Sequence, residues 1–328
     1  MAICLCCLRG SHVGHILSNT HNLASKPHGL IGVCMNKKLT GIITALVTPF
    51  DNNGKIMYDA LQRHVDYLVN QGVEGFYVNG STGESFLMTP DERKNTLEAV
   101  IEANAGRATI ISHCGAIGTD LSLDLVKHSA NLAVDAISSV PPFYYGFSKD
   151  ELVSYYNDLA NASDKPFIVY NMPKFSGVVI TPSLMAELRK NPRIQGLKFT
   201  HNDFFALERI KTSDPDLIIY NGYDEMAICG MSLGCDGAIG STYNVLAPMI
   251  IKLRDQCAGN DYQAALKTQR EANGHIASMV ATGKLFAVLK KVISIKEGID
   301  FGICRRPFAS LGAEDIAYCE RLAGELPF

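Results

Sequence analysis

Tyr170 and Lys198 are the residues of this chain best placed to do chemistry, each at the end of a short apolar run. Tyr170 closes Phe167-Ile168-Val169 and is followed by Asn171-Met172-Pro173, while Lys198 stands between Leu197 and Phe199. A lysine in a buried strand is costly to charge, so desolvation lowers its pKa. The neutral amine that results is the form that attacks a ketone to build a Schiff base. A tyrosine at a matching strand end can shuttle the protons such chemistry needs. The competing reading is a lysine whose stem packs while its ammonium reaches water. Lys198 alone does not separate the two, and the surrounding chain has to.

From residue 41 onward, short apolar runs alternate with amphipathic stretches. The runs cover 41–48, 75–79, 108–113, 136–140, 167–170, 195–199, 217–220 and 237–240. Helical patterns lie between them, over 58–71, 90–103, 121–132, 149–160, 182–190 and 202–211. Pro90, Asp91 and Glu92 mark one helix start, with Thr89 placed to cap its free N–H groups. Strands this short, mostly without polar alternation and separated by helices, imply a parallel sheet covered on both faces. Eight such units predict an α/β fold, a closed (β/α)8 barrel, with a doubly wound open sheet as the alternative. Residues after Ala247 read as helical throughout, clearest over 261–273 and 275–295. They are expected to supply the last barrel helix and a C-terminal helical extension from about 248, so that 39–328 is one domain.

In such a barrel the active site is built at the C-terminal ends of the strands, and the distinctive residues fall there in turn. The second strand is followed by Asn79-Gly80-Ser81-Thr82-Gly83-Glu84, whose glycines, N–H groups and hydroxyls make an anion-sized pocket or an ordinary turn. Pro142-Phe143-Tyr144-Tyr145 follows the fourth strand and reads either as an aromatic plug or as a subunit contact. The fifth and sixth strands deliver Tyr170 and Lys198. Asn221-Gly222-Tyr223-Asp224-Glu225 and Gly240-Ser241-Thr242-Tyr243-Asn244 follow the seventh and eighth. Together they offer an amine, a phenol, a nest for a carboxylate, and a wall of hydroxyls and acids suited to a polyhydroxylated substrate. Asp224 and Glu225 serve equally well as helix-starting acids.

Composition narrows the field. The chain has 328 residues, 47% hydrophobic, ample for one large α/β core. Its net charge of -3, with both signs interspersed and no basic run beyond a pair after residue 40, argues against nucleic acid. No apolar run reaches the roughly 18 residues a membrane span requires. The ten cysteines are scattered and read as reduced thiols in a chain of this size. No His/Asp/Glu set shows ligand spacing, so neither a metal nor another cofactor is expected. Residues 1–38 contain no Asp or Glu and hold four of the nine histidines. They read as an N-terminal extension, unstructured or targeting, and Met35 is a possible second start that gives a cytoplasmic enzyme.

Gly80-Ser81-Thr82-Gly83-Glu84, Tyr170-Asn171-Met172-Pro173 and Gly196-Leu197-Lys198-Phe199-Thr200 resemble the N-acetylneuraminate lyase and dihydrodipicolinate synthase family of pyruvate-dependent class I aldolases. The likeness spans roughly residues 39–310, and the 28 residues between Tyr170 and Lys198 (198 − 170) match the family's spacing. Position 81 is serine, where the synthase branch usually has threonine. Five residues after Tyr170 stands Phe175, where the synthase usually has a carboxylate-binding arginine; Lys174 beside it is no equivalent fork. Both details point to the lyase branch.

The resemblance implies cleavage of N-acetylneuraminate to N-acetylmannosamine and pyruvate. Lys198 would form the imine and Tyr170 relay protons. Ser81 and Thr82 would hold the carboxylate, and Thr200, Gly222, Asp224, Glu225, Gly240 and Ser241 the hydroxyl tail. Tyr144 would reach a neighbouring subunit's site in a homotetramer. The rivals are a sister aldolase, such as a dihydrodipicolinate synthase acting on another 2-keto acid, and a non-catalytic keto-acid sensor.

Overall fold

Eight short strands hydrogen-bond side by side in sequence order, and the eighth returns to the first. In the computed structural model, which describes residues 39–326, they are β1 (Gly41–Ala45), β2 (Gly75–Val78), β3 (Thr109–His113), β4 (Ala136–Ser139), β5 (Phe167–Asn171), β6 (Ile194–Phe199), β7 (Ile218–Asn221) and β8 (Gly237–Gly240). All pairings are parallel and the sheet closes as a barrel, so the expected (β/α)8 architecture is present and the open sheet is excluded. Expectations about residues 1–38 lie outside the described residues.

Both faces of the strands are apolar because each serves a separate core. Outward positions such as Ile42, Phe76, Ile110, Ile137, Leu197 and Ile219 pack under the helices. Inward positions such as Ile43, Tyr77, Ile111, Ile168, Tyr170 and Tyr220 fill the barrel interior. Period-two alternation is therefore real but hidden, since neither side meets water.

The helical layer is α1 (Tyr58–Asn70), α2 (Pro90–Asn104), α3 (Thr119–Ala130), α4 (Lys149–Asn161), the short α5 (Pro173–Ser176), α6 (Pro182–Leu188), α7 (Phe204–Ser213), α8 (Ala227–Ser232) and α9 (Tyr243–Ala258). Thr89 caps α2 as expected, accepting from Glu92 N while the Glu92 carboxylate takes the Thr89 N–H. Ser148 and Glu151 repeat the device on α4.

The C-terminal part supplies the expected helices but is not, as its sequence reads, helical throughout. After α10 (Tyr262–Ala281), Gly283 turns the chain at φ +68, splitting the 275–295 stretch, and α11 (Leu285–Glu297) begins. Gly298 ends α11 at φ +64, and residues 298–312 form an irregular strap before α12 (Ala313–Glu325). The strap gives up helical bonds because Ile303 N donates instead to Phe50 O at 2.8 Å, a pairing 253 residues back along the chain (303 − 50). Glycines at 298, 302 and 312 and a proline at 307 were its sequence signal.

Barrel closure constrains one glycine in particular. A Cβ at Gly237 would run into the backbone O and N of Gly41 on β1, which cannot yield without parting the strands. Gly237→Ala should therefore cost about 3 kcal/mol or more. Gly274, inside α10 with open space around it, should gain about 0.5–1 kcal/mol on Gly274→Ala. Urea unfolding of the two variants should move in opposite directions, and a tolerated alanine at 237 would contradict the closed-barrel contact.

Candidate active site

Parallel pairing of β5 with β6 sets Tyr170 beside Lys198, and pairing of β6 with β7 sets Lys198 beside Tyr220. All three side chains point into the barrel. The Lys198 amine sits 4.0 Å from the centre of the Tyr170 ring and 4.2 Å from that of Tyr77. The Tyr77 ring is held in turn by a hydrogen bond of 2.9 Å between its hydroxyl and Ser138 Oγ. Burial lowers the Lys198 pKa from 10.5 to about 7, with the Asp224 carboxylate pulling the other way. Near neutral pH a large share of this amine is uncharged and nucleophilic.

Burial pushes Tyr170 from 10 to about 12; the neighbouring Thr200 hydroxyl partly offsets this and Asp224 adds to it. The phenol thus stays protonated and able to donate. On its other side lies His113 at the end of β3, ring centres 6.1 Å apart. His113 Nδ1–H donates to Asn79 O at 2.8 Å and Nε2 accepts from Val140 N at 3.3 Å. Burial, then the Arg93 guanidinium, holds this imidazole well below its ordinary pKa and so neutral. It is a packing partner of the phenol.

The polar wall is built at the ends of β6, β7 and β8. Asp224 opens a short 3-10 turn (Asp224–Met226), and its Oδ2 accepts from Thr242 N at 2.8 Å and Thr242 Oγ1 at 2.7 Å. Burial raises this carboxyl to about 6 against those two bonds. The remaining oxygen faces Gly240, where a Cβ would strike it and the Tyr243 ring. A Cβ at Gly222 would likewise strike the Thr200 hydroxyl, whose oxygen is buried and completes no hydrogen bond within the protein. Both glycines are thus required by close approach. From below, Gln269 Nε2 donates to Asp224 O and Asn273 Nδ2 to Glu225 O, each at 3.1 Å.

Across the mouth, Ser81–Gly83 forms a 3-10 turn whose first N–H groups have no partner within it. Thr82 is buried and Ser81 half-buried. Ser81 borders a cavity of about 430 Å³ whose other walls include Phe86, Phe143, Met172, Phe175 and Phe308.

Nine of the expected site residues, Lys198, Tyr170, Ser81, Thr82, Thr200, Gly222, Asp224, Gly240 and Ser241, thus fall at the C-terminal rim of β2 and β5–β8. The other two are exposed to solvent in the single chain. Glu225 is exposed beside Asp224. Tyr144 is 82% exposed at φ 82, while Phe143, of the same segment read as plug or subunit contact, packs inward against Phe86. Tyr77 and Thr242 went unrecognised, although Tyr77 is the inward position of β2 and Thr242 lies within a segment already singled out. No group of three or more His, Cys, Asp or Glu side chains could hold a metal among the described residues.

Comparison with known proteins extends this geometry. A model of the dihydrodipicolinate synthetase family matches residues 38–323. The chain belongs to this family. An N-acetylneuraminate lyase of Rhizobium meliloti is 41% identical over 280 residues, covering 85% of this chain and 93% of its own. Among solved structures, a catalytic-lysine mutant of the Ruminococcus gnavus sialic acid aldolase superposes with a TM-score of 0.86 at 32% identity, over 88% of this chain and 96% of its own. The Fusobacterium nucleatum N-acetylneuraminate lyase complexed with pyruvate gives 0.84 at 31%, over 89% and 99%.

For this dihydrodipicolinate synthetase family member, the amine's environment sets a pH signature. Attack on a ketone by this amine would need it neutral, so the rate of any pyruvate imine at Lys198 should rise with pH through about 7 and level off above. Asp224→Asn removes the charge that favours the ammonium and should move that midpoint down. Borohydride trapping of the pyruvate imine across pH 5–9 measures both, and an upward shift in the variant would contradict the coupling.

Proposed function

We propose that this protein is an N-acetylneuraminate lyase, a class I aldolase that reversibly cleaves sialic acid to N-acetylmannosamine and pyruvate. The observation that carries the reading is the Lys198 amine, buried between two tyrosine rings and held near neutrality. Asp224 acts on it by charge, and Thr200, Asp224 and Ser241 follow the ends of β6, β7 and β8 as a rim that suits a polyhydroxylated tail.

Lys198 attacks the C2 ketone of open-chain sialic acid and loses water to give an imine. The C3–C4 bond then breaks, its electron pair moving toward the imine nitrogen to leave an enamine, while the C4 hydroxyl loses its proton and becomes the aldehyde. Tyr170 first gives its proton to the hydroxyl that leaves as water when the imine forms, and the phenolate left behind takes the C4 hydroxyl proton. Protonation of the enamine at C3 and hydrolysis release pyruvate and restore the amine. Ser81 and Thr82 seat the C1 carboxylate through N–H groups and hydroxyls. Thr200, Gly222, Asp224, Glu225, Gly240 and Ser241 border the hydroxyl tail, the glycines by leaving room and exposing backbone.

Phe175, 68% exposed, supports the lyase over a synthase: an apolar ring at the mouth offers nothing to a second substrate carboxylate. The outward Tyr144 and Tyr145, with rings 5.0 Å apart, support a contact between copies, as the homotetramer implied by the family resemblance would need. All six cysteines among the described residues are free thiols, which supports a reducing compartment such as the cytoplasm.

Incubation with pyruvate and borohydride should add one reduced pyruvyl group at Lys198, read by peptide mass, alongside cleavage of N-acetylneuraminate. A label elsewhere, or turnover only of another 2-keto acid, sinks the assignment. Tyr170→Phe should keep imine formation with pyruvate yet lose roughly 10²–10⁴ in turnover. Near-normal turnover in that variant would hand the proton relay to another group.

A further inference from the structure

Glu84 and Lys290 form an ion pair with both side chains sealed from solvent, and the reaction above uses neither. Lys290 Nζ lies 2.5 Å from Glu84 Oε1 and also donates to Ile303 O at 2.8 Å. The second Glu84 oxygen accepts from the backbone N of Arg305 at 2.8 Å. Every group that grips this carboxylate therefore comes from α11 or the strap that follows it. The Arg305 side chain adds a second tie, donating to Leu87 O at 2.8 Å and Glu92 Oε2 at 2.7 Å.

Glu84 is also the hinge of the carboxylate-binding segment. It stands at φ 58, ends the Ser81–Gly83 turn, and begins the next turn, Ser85–Leu87. A residue other than glycine adopts this backbone only when its surroundings hold it there. A buried ion pair is a poor source of stability, because apolar residues of similar volume often do as well. It is a directional restraint. An unpaired carboxylate at position 84 would, in addition, repel an incoming carboxylate at Ser81 and Thr82, and Lys290 cancels that charge.

We propose that the Glu84–Lys290 pair is a positioning device that locks the Ser81–Thr82 turn in its carboxylate-receiving shape, making the strap part of the active site. This rests on Ser81 and Thr82 being the carboxylate seat. Pro307 and Phe308 of the same strap line the cavity that Ser81 borders, so the segment both braces the turn and walls the mouth.

Borohydride trapping at Lys198 in the full chain tests it, with pyruvate and with hydroxyacetone, a ketone that lacks a carboxylate. Labelling of the unmodified protein by pyruvate is the control for the aldolase reading, and failure there counts against that reading instead. In Lys290→Met and Glu84→Gln, half-maximal labelling should need roughly ten- to hundred-fold more pyruvate, with hydroxyacetone labelling changed by no more than about two-fold. An equal loss with both ketones, or an unchanged pyruvate requirement in a folded variant, overturns the proposal. Should neither variant fold, amide exchange on the unmodified protein decides. Pyruvate should slow exchange over residues 80–88 and 303–308 together, and slowing confined to the first segment overturns it.

Discussion

The site depends on keeping an amine uncharged inside a protein. Water stabilises an ammonium so strongly that an exposed lysine is a poor nucleophile near neutral pH. The closed barrel removes that water: Lys198 is 4% exposed, and the rings of Tyr77 and Tyr170 occupy the space that solvent would otherwise fill. Those rings also attract a cation through their faces, and Asp224 attracts it through its charge. Burial wins, but only enough to bring the group to about 7. An amine pushed much lower would be a weaker base and a weaker nucleophile, so the opposing attractions keep it useful.

Around that amine the mouth divides into two walls of different character. The ends of β6, β7 and β8 present hydroxyls, a buried acid and two glycines that let backbone and side chain approach closely. The ends of β2, β4 and β5 present aromatic rings around the turn that carries Ser81. A small molecule with a carboxylate at one end and hydroxyls along the other matches this polarity.

The helices and strap beyond the barrel hold both walls. Gln269 and Asn273 of α10 take the carbonyls of Asp224 and Glu225. A buried chain of side chains links Glu297 at the end of α11 through His64 to Asn244, whose amide reaches the carbonyls of Ala45 and Ser241. Lys290 and Arg305 grip the turn after β2. Residues far along the chain from Tyr170 and Lys198 thus set the shape of the rim.

Read alone, the sequence determined the local features. Eight apolar runs separated by amphipathic stretches sufficed for the barrel, because a strand buried on both faces must be apolar throughout. Thr89, Pro90 and Glu92 were enough for one helix start, since a cap is a contact within four residues. Lys198 was identified as a desolvated amine, yet the neighbours that suggested it, Leu197 and Phe199, face the helices; Tyr77 and Tyr170 are what desolvate it. That difference belongs to tertiary structure, as do the strap where helix was expected, the outward turn of Tyr144, and the pairing of Glu84 with Lys290 across 206 residues. Propensity and periodicity act over a few residues. Burial of a charge and the meeting of distant side chains are decided only when the barrel closes and the C-terminal segment returns across its mouth.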